Sequence, residues 1–484
     1  MASLLSIRAG DQVASGLYTA TNPLDAPLWV DGRNVLFRDG GVEKAPGFVS
    51  LLTVTDAGTL RGMDAMTDTA LIQRLFLGDA GKLYQWAAGT LTTVGTGYTG
   101  SVDEGGSAPA SCWSFAPYGD WMLGTNGKDP VQVWKKTVGT FAALDVDGQF
   151  TAAQILLRRG PHLLAFGSAG GAAGAAGAYH WCSADDPENW DPDATDSAGF
   201  QPIAELQGPI VAAVPLGDMI AVLGRNQLFL IRYTGAPFYF PYQPALTGVG
   251  AVGKRAVVEA NRRLYGMSRA GFWMADGTQY SYIDTPALRD YLLPRLNTAQ
   301  LSKAVCWYDQ TNQLVLWSVP TTGVEPDVTV GFHVASGVWT IFDWARAAAV
   351  PQLGVFRQPY TAGSGGKVYA HNSGVDAGAG VGMTAYVQSK PLDCGDAGVW
   401  KAINEVRARL RRMAGAVNLL IGTQRNSDDP VMWLPAKVLD DGNESLWLRA
   451  SGRYLTLRIE STAVGADWAL TGFDLLGVPA GERR

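Results

Sequence analysis

Hydrophobic and polar positions alternate along this chain in short runs, and one arrangement of them keeps returning. In residues 74–94, RLFLGDAGKLYQWAAGTLTTV, Leu75 and Leu77 stand two apart, so an extended segment puts both on one face. Gly78, Asp79, Ala80 and Gly81 interrupt the alternation and predict a tight turn, because glycine tolerates φ > 0 without strain. An aromatic-rich return strand follows at 83–86, Ala88 and Gly89 turn again, and 91–94 make a third strand. The same succession recurs at 121–134, 221–231, 264–274 and 360–370, with weaker copies at 163–181 and 313–330. The copies fall roughly 40–57 residues apart, close to the ~40–50 residues of a four-stranded propeller blade. A meander that cannot bury both faces alone must stack on its neighbours, and closing the stack into a ring leaves few exposed edges.

The repeats predict blades at about 51–100, 109–150, 153–200, 208–245, 251–290 and 301–345, with a short seventh at 350–372 that borrows strands from the N-terminus. Residues 34–48, NVLFRDGGVEKAPGF, supply that ribbon: Val35 and Phe37 alternate, and Asp39, Gly40 and Gly41 form a hairpin turn. The expected role of this hairpin is to join the first and last blades and close the ring. A helical segment is predicted within 281–304, where Pro286, Ala287, Leu288, Tyr291 and Leu292 follow a 3–4 spacing, and the glycine-rich 167–178 predicts a loop. Beyond a linker at 376–382 the pattern changes. Val406, Ala408 and Leu410 alternate with Arg407, Arg409 and Arg411, and short strands follow at 417–421, 445–448, 454–459 and 468–476, as in an antiparallel sandwich. The expected class is all-β: a six- or seven-bladed β-propeller followed by a small antiparallel β-sandwich. The expected units are a lead-in and ring-closing ribbon (1–50), a propeller (51–375) and the sandwich (376–484).

Composition sharpens this in three ways. Gly is 59 of 484 residues, well above the ~7% typical of proteins, and lacks a three-residue period, which means many hairpins and not collagen. The net charge of −6 argues against an electrostatic groove for nucleic acid, although an acidic wall lets a duplex slide past. The four cysteines (Cys112, Cys182, Cys306, Cys394) form no CxxC pair, the N-terminus lacks the features of a signal peptide, and no run approaches ~18 apolar residues. Reduced, mostly buried thiols in a chain made in the cytoplasm, with no membrane span, are expected.

Candidate chemistry is sparse. The four histidines have no partner at metal-ligand spacing; His180 and Cys182 share a strand face, but two ligands do not make a zinc site. Gly248, Gly250 and Gly253 spell G-x-G-x-x-G, yet prolines precede it and a β-like run follows, so it predicts a loop and not a dinucleotide site. The acidic stretch 183–196, SADDPENWDPDATD, has three readings: a calcium loop through Asp185, Asp186, Asp191, Asp193 and Asp196; an Asp-box-like turn through Ser183, Asp185 and Trp190, as in sialidase-like propellers; or a solvated loop capped by Trp190. The Asp-box pattern is imperfect, with Pro187 in place of its glycine and Asn189 in place of its threonine. Arg407, Arg409 and Arg411 would share one strand face, either solvated or docking an acidic partner or a neighbouring subunit through bidentate Arg–carboxylate pairs. No catalytic, cofactor or metal residues are assigned.

Residues 34–48, the run 181–190 (WCSADDPENW) and the closing segments SGRYLTLRIEST and WALTGFDLLGVPAGERR resemble tail nozzle or tail-hub propellers of short-tailed bacteriophages, a group that includes packaged-DNA stabilisation proteins. The resemblance implies a structural virion protein and no enzyme. It would be a homo-hexamer below an adaptor ring, assembled in the host cytoplasm, that extends the DNA channel, helps retain the genome and supports fibres or spikes; double-stranded DNA would pass without sequence-specific binding. The alternative is a glycan-binding or glycoside-hydrolysing, sialidase-like propeller, to which the Asp-box-like turn and the many tryptophans point.

Overall fold

Turn residues at the predicted spacing fold the middle of the chain into antiparallel meanders. The computed structural model describes residues 3–8, 28–38, 40–99, 112–193, 196–350, 354–439 and 445–481. Among them are seven four-stranded antiparallel sheets, and the first is typical: Gly62–Thr67, Gln73–Gly78, Lys82–Ala87 and Thr90–Thr96 pair in sequence order. Its second strand is buried at Leu75, Phe76 and Leu77, whereas its fourth is mostly exposed. The sheets that follow open with Ser114–Tyr118, Ile155–Arg159, Ala212–Leu216, Val257–Ala260, Val305–Asp309 and Ala348–Ala349. Each opening strand touches the opening strand of the next sheet, and the seventh touches the first, so the cycle is closed. The chain is all-β and propeller-like, with its core between neighbouring sheets.

The repeated glycine has a different cause from the one its position suggests. Gly78, Gly124 and Gly266 do not have positive φ; they end or interrupt a strand where an aromatic ring lies against the backbone. A Cβ on Gly78 would stand 2.2 Å from Cδ1 of Trp113, and one on Gly266 would stand 2.3 Å from Cζ2 of Trp273. Gly78 and Gly266 admit an indole and Gly124 the Phe115 ring; the turn after Gly78 is made by Asp79, whose Oδ1 accepts from the backbone N–H groups of Gly81 (2.9 Å) and Lys82 (2.6 Å).

Ring closure differs from the expectation. The fourth strand of the seventh sheet is Phe48–Thr53, which pairs antiparallel with Lys367–His371. The hairpin just before it, Val35–Arg38 with Gly41–Lys44, belongs elsewhere: Val42 and Glu43 pair with Leu470 and Ala469 of the long strand Asp467–Gly481. Gly40 sits at the hairpin tip with φ 70°, a Cβ on Gly41 would stand 2.5 Å from the Leu470 carbonyl oxygen, and Asp39 lies outside the described residues. Alternation marks Val35 and Phe37 as one buried face but cannot say against which sheet it packs.

Residues from both chain ends make up two six-stranded sheets. One contains Val35–Arg38, Gly41–Lys44, Asp467–Gly481, Trp400–Ala414 and Ser445–Gly452, with Ser3–Arg8 added at Asp467–Gly481; the other contains Trp29–Arg33, Ala385–Ser389, Tyr454–Ser461 and Val417–Gln424. They share one core, in which Trp29, Val35, Val406, Leu457, Trp468 and Phe473 are buried. The 1–50 lead-in is therefore no unit of its own: residues 29–44 join these sheets and 48–53 join the ring. The segment ties the two bodies together, since Asn34 N–H donates to the Ile341 carbonyl (2.9 Å), its Nδ2 donates to the Thr384 carbonyl (2.7 Å), and its Oδ1 accepts from Asp343 N–H (3.1 Å). Pro286–Leu292 is helical as expected, capped by Thr285, whose Oγ1 accepts from Leu288 N–H. No helix among the described residues is long and apolar enough to cross a membrane.

Candidate functional site

Closing seven sheets around a common axis leaves a channel lined by their opening strands, with a volume of about 940 Å³. One end is shut by charge. The loop between the second and third strands of the sixth sheet brings Glu325 to the axis, where it accepts from Arg61 Nη2 and from Lys303 Nζ at 3.1 Å; Lys303 also donates to the Val324 carbonyl at 2.9 Å. Arg61 and Lys303 are only 1% and 2% exposed, whereas the Glu325 side chain is 25% exposed, so two buried cations share one partly exposed carboxylate.

Arg255 completes the closed end. It stands two residues before the fifth sheet, yet its Nη1 donates to the Ala347 carbonyl (2.7 Å) before the seventh sheet, and its Nη2 donates to Cys112 Sγ (3.1 Å) before the second. A side chain that bonds sheets two places away in one direction and three in the other must cross the axis. Arg346 holds a parallel position before the seventh sheet, but it turns outward between Phe48 and Tyr369, 4.5 and 4.3 Å from their ring centroids. Burial lowers the Arg346 pKa to about 10 and keeps its partner His371 well below the usual histidine range, so the ring accepts from Arg346 Nε at 3.2 Å. This arginine clamps the strand that closes the ring.

Along the wall toward the open rim, Asp64 projects from the middle of the first sheet's opening strand. Although it faces the channel, it lies deep among the opening strands. Burial there pushes its carboxyl up to about 7, against a backbone hydrogen bond from Ala65 N–H (2.7 Å) that acts the other way. At the rim, Asp68 behaves oppositely. Burial would raise it, but hydrogen bonds from Arg74 (2.8 and 3.0 Å) and Ile72 N–H, with the charges of Arg74 and Lys136, outweigh that and hold it at about 2. Asp120 joins the same rim network through Thr69 and Lys136.

The residues singled out from the sequence lie away from this channel. Ser183, Asp185 and Trp190 sit between the third and fourth strands of the third sheet: Ser183 bridges Asp186, Asp185 has φ 60°, and Trp190 is buried with its Nε1 donating to the Pro187 carbonyl (2.9 Å). The side chains of the acidic stretch cap one another and the backbone, as in Asn189 to Asp196 (2.7 Å), and no metal-holding group of three is found among the described residues. Arg407, Arg409 and Arg411 share an exposed face, but each meets a carboxylate of its own chain: Glu405, Asp474 and Glu43 respectively. A bulge beside Leu410 also turns Arg412 outward, onto Asp467 and Glu43. Gly250 and Gly253 are packing glycines against the backbones of Arg225 and Ser302. His180 bonds Ser168 Oγ (3.0 Å), and Cys182 Sγ accepts from Leu163 N–H (3.0 Å).

Asp64, Arg61, Arg255, Lys303 and Glu325 carry no local motif. One signal does precede them: a cation stands one or two positions before the opening strand of the first, fifth, sixth and seventh sheets, at Arg61, Arg255, Lys303 and Arg346. Register across the repeats, more than any motif within one, would have exposed it.

No protein-family model matches this chain, and neither does any curated protein sequence. Solved structures with a similar course include the computationally designed Ika8 protein (TM-score 0.41, 10% identity, 68% of this chain and 100% of that one). A chain of the structure of YCF48 bound to D1 peptide gives TM-score 0.43 and 9% identity over 70% of this chain and 97% of that one. A chain of the mitotic checkpoint complex gives 0.41 and 13% over 73% and 96%. At these scores the likeness says nothing about activity or partners; the propeller-like class rests on the sheet order and the closed cycle of opening strands.

Proposed function

We propose that the chain is a non-enzymatic structural virion protein, the tail nozzle of a short-tailed bacteriophage. On this reading the seven sheets are the blades of a seven-bladed β-propeller, and the two six-stranded sheets are a sandwich domain built from 3–8, 28–44 and 374–481. The observation that carries the proposal is the single N-terminal segment that is a sandwich strand and hairpin at 29–44 and the closing strand of the ring at 48–53. Neither body can open without pulling on the other, which suits a wall that holds back packaged DNA. A channel of about 940 Å³ is of small-molecule size and plugged at one end, so DNA would pass between subunits and not through a propeller. Six copies around the tail axis, under an adaptor ring and carrying fibres or spikes, would surround it, and the net charge of −6 leaves a duplex free to slide.

Electron microscopy of particles that contain this chain, tagged at its C-terminus, tests the proposal. Label in a sixfold ring at the distal tail is the expected result; absence of the chain from every particle would overturn it. A glycoside panel tests the alternative. Turnover lost in Asp64→Asn or Asp185→Ala with the fold intact would replace the nozzle with a glycan-active propeller.

A further inference from the structure

The closed end of the channel holds a cation whose charge is not matched. Arg255 donates only to a sulfur and a carbonyl, its Nε has no hydrogen-bond partner, and no carboxylate lies within ion-pair range of it among the described residues. Burial disfavours its charged form most; Cys112 beside it favours that form, Arg61 opposes it, and Glu325 favours it. A desolvated guanidinium without a carboxylate is costly to keep, and it becomes favourable once an anion arrives with matching geometry. The guanidinium faces a cavity large enough for a ligand. From there to the rim the wall carries the edges of Phe115, Val214 and Val257, together with Asp64, Glu259 and Arg158.

We propose that this channel is a binding site for an amphiphilic carboxylate, an acyl or aryl acid whose head group meets Arg255 at the axis and whose apolar body lies along the wall. The planar fork of the guanidinium suits two carboxylate oxygens, and Arg255 lines the cavity. Lys254, which donates to the Gln154 carbonyl at 3.3 Å, lines the same end and adds positive potential. Asp64 lies nearer the middle of the wall, where its raised pKa leaves it partly neutral near pH 7 and weakens its repulsion of an anion. The site does not depend on the virion reading and would serve a free subunit as well as an assembled one.

Calorimetric titration of the full chain with octanoate, octan-1-ol and inorganic phosphate tests this. Octanoate is expected to fill one site per chain and to raise Tm, with octan-1-ol at least tenfold weaker and phosphate weaker still. Arg255→Met should cost octanoate at least tenfold in affinity and leave octan-1-ol unchanged, and Arg255→Lys should fall between. Equal binding of the acid and the alcohol by the unaltered chain would overturn the proposal, as would full octanoate affinity in Arg255→Met; phosphate binding as tightly as octanoate would overturn the apolar half. If Arg255→Met does not fold, the acid-to-alcohol ratio of the unaltered chain decides alone.

Discussion

Gly78 gives the sharpest test of how this ring is packed. Replacing it by alanine places a Cβ 2.2 Å from Cδ1 and 2.8 Å from Nε1 of Trp113, where carbon contacts normally settle at ~3.5–4.0 Å. The indole must move, yet it is 2% exposed and its Nε1 donates to the Asp79 carbonyl at 2.7 Å. Overpacking costs ~1–3 kcal/mol and a broken buried hydrogen bond a further ~1–3, so Gly78→Ala should destabilise by about 2–6 kcal/mol. Gly58 is the control: it has ordinary φ, and a Cβ there would meet nothing within 4 Å, so its alanine variant should stay within ~0.5 kcal/mol. Denaturant unfolding followed by tryptophan fluorescence measures both, with hydrogen exchange in the first two sheets as a local check. Because the cost lies between two side chains, Trp113→Leu should relieve it, with a coupling above ~1 kcal/mol in the double-mutant cycle. Equal costs for Gly78→Ala and Gly58→Ala, or no coupling to Trp113, would refute the packing argument and return the glycine to a purely conformational role.

Two further outcomes follow from buried carboxyls. Glu43, 3% exposed, is bonded by Arg38 and lies 3.4 and 3.7 Å from Arg411 and Arg412, so Glu43→Gln leaves three guanidiniums without their shared charge. Since those arginines are partly exposed, the loss should be about 1–3 kcal/mol, read as a lower urea midpoint; an unchanged midpoint would mean the arginines re-pair with water at no cost. Asp64 sets a slope with pH: an unfolded aspartate ionises near ~3.9, while the folded one keeps its proton up to about 7. The folded state therefore binds more protons across that window, and stability should fall as pH rises from ~4 to ~7. Asp64→Asn should flatten the dependence of Tm on pH over that range, and an unchanged slope would assign it to other groups.

Local alternation and turn chemistry already determined the all-β class, the spacing of the meanders and the helical turn at Pro286–Leu292, because strand faces and turns are set by residues two to four apart. The short seventh repeat was legible as incomplete, since residues 350–372 do not contain four strands' worth of alternation. What only the tertiary structure decided are the long-range pairings. The Val35–Lys44 hairpin could have flanked any sheet with an apolar face; it lies against Asp467–Gly481 because the backbone of Gly41 can approach Leu470 there, and ring closure passes to Phe48–Thr53. The basic face at Arg407, Arg409 and Arg411 read as open because its carboxylates, Asp474 and Glu43, are distant in sequence and adjacent only across strands. The channel was hidden for the same reason. Asp64, Arg255 and Glu325 lie far apart along the chain and each is ordinary in its own repeat; radial closure alone sets an arginine on the axis and a carboxyl in a wall dry enough to keep its proton.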